Sequence, residues 1–242
     1  VSPTWTILIP TLGQRSAQLK RLLDVLLPQL EPFGDRARVV GLWNNGEVPL
    51  THIRQTLVVT AKTDYVCFID DDDLVPDYYA SDVMRALEYD PDYVGWIVEC
   101  AHPRRQSQLA YHSLQHGGWF QRDSKLYRDY SHVNPIRTSI ARRVDFRHTP
   151  RYRPEDRHWA AQLRRLRAAR REVYIDRIMY HYLYVPGESD SWRSPRHVRR
   201  GKYAPLDIHH PNFEWYRGEV LSAGSGAPRS SGKYSSVSRA RV

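Results

Sequence analysis

Four consecutive aspartates, Asp70 to Asp73, follow the apolar run Tyr65-Val66-Cys67-Phe68-Ile69. Like charges this close repel one another, so the arrangement calls for a cation among them. In extended backbone Asp70 and Asp72 share one face and Asp71 and Asp73 the other, which lets an alternating pair converge on one hard cation through oxygen ligands. Mn2+ or Mg2+ is the candidate, because either keeps coordination positions for phosphate oxygens or water when two carboxylates hold it. The same residues also read as a solvated acidic turn capping a helix that begins near Pro76 or Asp77, where carboxylates are favoured.

The elements around the quartet follow from apolar periodicity. Residues 5–9 read as a buried strand, broken by Pro10 and followed by a polar loop over residues 11–16. Leu19, Leu22, Leu23, Leu26, Leu27 and Leu30 then recur at helical spacing, with Ser16 as N-cap and Pro32 and Gly34 as the stop. Residues 37–43 form a second strand ending in the turn Asn44-Asn45-Gly46, residues 52–60 a short helix, and residues 65–69 the third strand. Strand, helix, strand, helix, strand is the pattern of a parallel sheet with crossovers, whose ligands bind at the carboxyl ends of the strands. The quartet stands at such an end.

Residues 78–89 are expected as a helix and 93–100 as a strand, while from 102 to 133 the pattern weakens around a turn at Gly117-Gly118. A late helix is expected over 155–172, with Trp159, Leu163 and Leu166 on one side, and extended chain over 173–185. From residue 222 the chain is Gly, Ser and Arg with little to bury, which reads as a disordered basic tail. Residues 1–221 are expected as a single domain, with a half over about 1–100 organised around a metal and a half over 101–221 facing something negative.

Composition narrows the class. The chain of 242 residues is 41% hydrophobic, enough for a sizeable core, and carries a formal net charge of +9. The excess gathers after residue 100, in Arg104-Arg105, Arg142-Arg143 and the stretch 157–171, which favours a phosphate-bearing or polyanionic partner. No apolar stretch is long enough to span a membrane and no secretory signal is visible, so a cytoplasmic protein is expected. Cys67 and Cys100 lie in strand-like runs and read as core thiols, not as a disulfide framework.

In their order and spacing, four pieces resemble the family 2 glycosyltransferases of the GT-A fold. They are Ile7-Leu8-Ile9-Pro10-Thr11 with Arg15, Trp43-Asn44-Asn45-Gly46, Phe68-Ile69-Asp70-Asp71-Asp72-Asp73 with Pro76, and Pro154-Glu155-Asp156 with Trp159. The resemblance spans about residues 5–190 and is loose from 102 to 150. It implies a Rossmann-like α/β fold with a mostly parallel central sheet flanked by helices and a smaller C-terminal acceptor-side region. It implies an inverting, metal-dependent transfer of a sugar from a nucleotide-diphosphate donor to an acceptor hydroxyl.

By the same resemblance, Asp72 and Asp70 match the two acidic positions of the DxD motif, Asp72 as metal ligand and Asp70 as ribose contact and second ligand. Asp71, Thr11 and Arg15 fall on the donor side, and Asn44 stands where many members carry an aspartate that reads the base. An amide there offers both donor and acceptor. Asp156 matches the catalytic base, with Glu155 orienting the acceptor. His181 is a candidate metal ligand, although a lone strand histidine is more often a surface or hydrogen-bonded residue. Residues 186–189 resemble a segment covering the donor, and His132-Val133-Asn134-Pro135 could line the acceptor side.

Other readings stay open. A polyanionic acceptor, such as DNA carrying a hydroxylated base, would combine the metal site with the basic half. Asp71-Asp72-Asp73-Leu74-Val75 formally fits the nucleophile motif of haloacid-dehalogenase-like phosphatases, although that motif normally opens its fold. A non-enzymatic nucleic-acid-binding module would explain the arginines and leave the quartet unexplained.

Overall fold

The computed structural model describes residues 2–102, 104–150, 154–184 and 204–216. Its strands and helices alternate through the first half: β1 (Trp5–Leu12), α1 (Ser16–Leu30), β2 (Ala37–Asn44), α2 (Leu50–Thr60), β3 (Tyr65–Phe68) and α3 (Tyr79–Leu87). The second half holds β4 (Tyr93–His102), β5 (Arg105–His112), β6 (Phe120–Arg122), β7 (Lys125–Arg128), β8 (Ile136–Arg137), α4 (Thr138–Ala141), α5 (Glu155–Leu166), β9 (Glu172–Leu183) and β10 (Phe213–Trp215). One sheet runs through both halves in the order β10-β2-β1-β3-β8-β4-β5-β7-β6, with β9 paired to β4.

The sheet is mixed, which corrects the expectation of a mostly parallel one. Strands β10, β2, β1 and β3 are parallel neighbours, but β8 runs antiparallel to β3 and β4, β5 antiparallel to β4, and β6 antiparallel to β7. Crossover helices enforce parallel pairing only where they intervene. Between β4 and β7 there are short connections instead, and these permit reversal.

Alternation along the strands sorts the core into two layers. Trp5, Ile7, Ile9, Val39, Tyr65 and Cys67 face α1 and α3, whereas Leu8, Val40, Leu42, Val66 and Phe68 face α2, α4 and α5. All six leucines of α1 are buried, at a gain of roughly 1.5–3 kcal/mol each. Cys67 is buried and Cys100 half-buried, both as free thiols.

Several boundaries differ from expectation for local reasons. Strand β1 continues through Pro10. The Leu8 carbonyl accepts a hydrogen bond from the Ile69 amide, so Pro10, two residues on, turns its missing N–H to the side where β3 has ended. Ser16 is the first residue of α1 and not its cap, because one 3-10 turn over Gly13–Arg15 precedes it. Helix α5 stops at Leu166, where Arg167 takes a left-handed conformation at φ 45°, and Glu172 already belongs to β9.

Two ties hold the distal strands. In β10 the ring of Trp215 lies where a Cβ on Gly41 would be, 2.5 Å away, so only glycine lets this strand close on β2. The Asn212 amide also donates to the carbonyls of Gly34 and Ala37 at 2.7 and 2.8 Å. At Gly95 of β4 an added Cβ would meet the His112 carbonyl at 2.5 Å, with the Glu172 carboxylate on its other side. Backbone cannot yield as a flexible side chain can. Gly95→Ala is therefore expected to lose about 1–3 kcal/mol of stability, read as a lowered urea midpoint; an unchanged midpoint would mean that β4, β5 and β9 are not packed this closely.

Candidate functional site

Beyond Phe68 the chain leaves the sheet. The Asp73 amide donates to the Asp70 carbonyl at 3.1 Å, closing a turn in place of the extended backbone expected for the quartet. The alternating-face arrangement therefore does not form, and each carboxylate meets a separate environment.

Asp71 points into the protein at 1% exposure, accepting from the Thr11 hydroxyl at 2.6 Å, the Leu12 amide at 3.3 Å and Arg15 Nη1 at 2.8 Å. Thr11, Arg15 and Asp71 thus lock the end of β1 to the aspartate turn. A carboxylate so enclosed is no nucleophile, which removes the phosphatase reading. Asp73 is equally buried: its carboxylate accepts from the Tyr180 hydroxyl at 2.6 Å and the Leu183 amide at 2.9 Å, and the Tyr180 oxygen accepts from the Asp70 amide at 3.1 Å. Strand β9 is fastened beside the turn by reciprocal backbone hydrogen bonds between Leu74 and His181, at 3.1 and 2.9 Å.

Asp70 is 26% exposed and meets Arg54 Nη2 at 2.8 Å, with His132 Nε2 3.7 Å from its other oxygen. Arg54 is itself buried in α2, lies 4.9 Å over the Phe68 ring and reaches Glu155 at 3.4 Å through Nε. One cation therefore joins the quartet to the first turn of α5. Asp72 is 15% exposed, with Arg15 Nη1 3.2 Å from its carboxylate, while Arg21 donates to its backbone carbonyl at 3.0 Å.

Charge state follows from these partners. Burial works against ionised Asp70, but Arg54 and His132 more than offset it and hold the carboxyl below the usual carboxylate range. Burial pushes the Asp72 carboxyl up to about 6, with Arg15 opposing and Asp71 and Asp70 adding repulsion. Burial, then repulsion from Asp70 and Asp72, pushes Asp73 well above its ordinary value. Burial also disfavours charge on Arg15, yet Asp71 and Asp72 outweigh it and keep the guanidinium protonated.

The other sequence-selected residues fall around this centre in different ways. The Asn44 amide oxygen accepts from the amides of Gly46, Glu47 and Val48 at 3.2 Å, and its nitrogen donates to the Val48 carbonyl at 2.8 Å. Its hydrogen-bonding capacity is thus spent on shaping the loop after β2. Glu155 joins Arg54, while the half-buried Asp156 accepts from the Arg157 amide at 2.7 Å. His181 pairs with Glu99 at 2.9 Å instead of with the quartet, since it alternates with Tyr180, which takes the inward direction. Residues 186–189 and the tail from 222 lie outside the described residues. Sequence reasoning passed over Arg54 and Tyr180 as members of the site. For Arg54 a signal existed: a cation between buried Ile53 and Leu57 requires a buried anion.

Among the described residues, no three His, Cys, Asp or Glu side chains are arranged to hold a metal ion, and no helix is long and apolar enough to cross a membrane. By sequence, the chain matches no protein-family model and no curated protein. By structure, it is similar to TarS of S. aureus. The 1–349 fragment matches with TM-score 0.54 at 15% identity, over 74% of this chain and 60% of that one. Its complex with UDP gives 0.55 at 15% over 78% and 63%, and its complex with UDP-GlcNAc 0.53 at 15% over 77% and 63%. The chain spans less than two thirds of that fragment and 38% of the longer TarS structure. At this identity the likeness shows the fold alone, a mixed α/β sheet flanked by helices.

Proposed function

We propose that this chain is a glycosyltransferase that moves a sugar from a nucleotide-diphosphate donor to an acceptor hydroxyl, with metal dependence and inversion as part of the reading. The observation that carries it is the uneven treatment of the four aspartates. Arg54 compensates Asp70, β9 encloses Asp73, and Asp71 and Asp72 share the single cation Arg15, so that the turn has more negative charge than positive. Similarity of fold to a protein crystallised with UDP-GlcNAc adds support.

The donor set fits Mn2+ or Mg2+ shared with phosphate oxygens, because such ions need only one or two carboxylates when substrate completes the shell. Asp72 would hold the ion, with Asp70 as second ligand. His181, occupied by Glu99, fits less well. When bound, the ion would supply positive charge for the departing diphosphate. The protein's own residues do the rest. Arg15 and Thr11 fix the turn through Asp71, and Arg54 fixes Asp70 against Glu155. From the first turn of α5, Asp156 takes the proton of the attacking hydroxyl.

A screen of nucleotide sugars with Mn2+ or Mg2+, following release of nucleoside diphosphate, tests the reading. Asp156→Ala is expected to retain slow donor hydrolysis while transfer to an acceptor falls by on the order of 10²–10⁴-fold. If no donor is cleaved under any metal, sugar transfer is not the activity. If Asp156→Ala transfers as well as the wild type, another group is the base.

A further inference from the structure

We propose that the sheet extension β5–β7–β6 is a binding face for single-stranded nucleic acid. In register across these strands, Tyr111 is opposite Tyr127 and Tyr127 opposite Phe120, so three rings form one row on one face. Tyr111 and Tyr127 stack at 5.6 Å, and Tyr127 and Phe120 at 5.0 Å with planes only 15° apart. Phe120 ends the row 40% exposed, at the outermost strand of the sheet.

Cations accompany the rings. By alternation Lys125 shares the face of Tyr127, and Arg122 that of Phe120. Lys125 Nζ lies 5.4 Å from the Tyr111 ring and the Arg122 guanidinium 5.7 Å from Phe120. Neither has a carboxylate partner among the described residues. Arg122 and Lys125 thus give the ring face two cations, and the stretch 104–128 holds a single acid, Asp123. Such a surface repels polycations and attracts polyanions.

The aromatic row decides among polyanions. The exposed ring of Phe120, backed by half-buried Tyr127 and Tyr111, adds nothing for a bare phosphate polymer, and duplex DNA keeps its bases stacked inside. Unpaired bases can stack on an exposed ring while cations meet the phosphates. As an acceptor surface the face rests on the sugar-transfer reading; as a binding surface it does not.

Fluorescence anisotropy of the full chain, without donor or metal, keeps the two apart. A labelled DNA strand of roughly 16 nucleotides is titrated against protein at several salt concentrations, with duplex DNA and polyphosphate of matched charge as competitors. The single strand is expected to bind most tightly. Phe120→Ser should weaken it roughly 5- to 150-fold, and Arg122→Ala with Lys125→Ala should reduce the salt slope by about 1.4. Asp123→Asn removes the one acid at a position, φ 48°, that asparagine tolerates, and should tighten binding. Circular dichroism of each variant guards against unfolding. Equal competition by polyphosphate or duplex, an unchanged salt slope, or looser binding by D123N would overturn the proposal, whatever the donor screen shows.

Discussion

Asp72→Asn is expected to reduce sugar transfer by on the order of 10²–10³-fold, the scale of losing one preorganised charge contact at a developing anion, while the protein becomes more stable. The two effects have one origin. Burial, with repulsion from Asp71 and Asp70 added, raises the Asp72 carboxyl to about 6, against an unfolded value of roughly 3.9. A carboxyl raised on folding contributes stability that is full below its unfolded value and is lost as pH rises through its folded one. Above pH 6 the wild type therefore carries strain that the amide lacks, and D72N should gain on the order of 1–2 kcal/mol at neutral pH. The turn survives the change, since Arg21 holds the backbone carbonyl and Arg15 keeps Asp71. Wild-type transfer should also decline as pH falls through 6, because the proton competes for the same oxygens. Steady-state rates and urea midpoints across pH 5–8 read all three; a variant that is both active and unchanged in stability would remove Asp72 from the site.

Arg54→Met is expected to be among the most damaging single changes, at about 3–5 kcal/mol of stability, the cost of leaving a buried charge without its partner. Arg54 is 2% exposed and supports Asp70 and Glu155 at once. Methionine fills similar volume but leaves Asp70 facing Asp72 with only His132 nearby. Adding Asp70→Asn should recover a large part of the loss, and the double-mutant cycle measures the coupling. Arg54→Lys should not restore wild-type stability, because a point charge cannot fork to two carboxylates. Chemical denaturation within 1 kcal/mol of wild type for the methionine variant would show that the ion pair is not structurally required.

What was legible in the sequence was whatever a repeating pattern encodes. The leucines of α1 and the alternation of β1, β2 and β3 identified those elements to within a few residues, because each has one buried face that admits one periodicity. The position of the quartet at a strand end followed from that order. Strand direction did not, since period-2 alternation is the same in parallel and antiparallel pairs. Strands β5, β6 and β7 escaped because β6 and residues 106–108 of β5 are exposed and β7 is at most half-buried, so little burial pattern marks them.

The site was legible by residue type and less so by partner. Thr11, Arg15 and Asp71 do meet, and Glu155 comes to the quartet through Arg54. The contact between α2 and α5 that permits this is long-range, and no local rule reports it. His181 and Tyr180 differ by one position on a strand, and that step decides which of them faces the aspartates. Of the two readings of Asp70–Asp73 the turn is the one that forms, but it is not simply solvated, since Asp71 and Asp73 are buried on partners that no local rule names.

The clasp of β10 on β2 has a consequence for biosynthesis. Residues 37–44 leave the ribosome long before residues 213–215, so the outer edge of β2 stays unpaired until that strand follows. Nascent chains must keep that rim from recruiting a neighbour until the closing strand emerges, and a ribosome stalled ahead of Asn212 would release polypeptides prone to self-association.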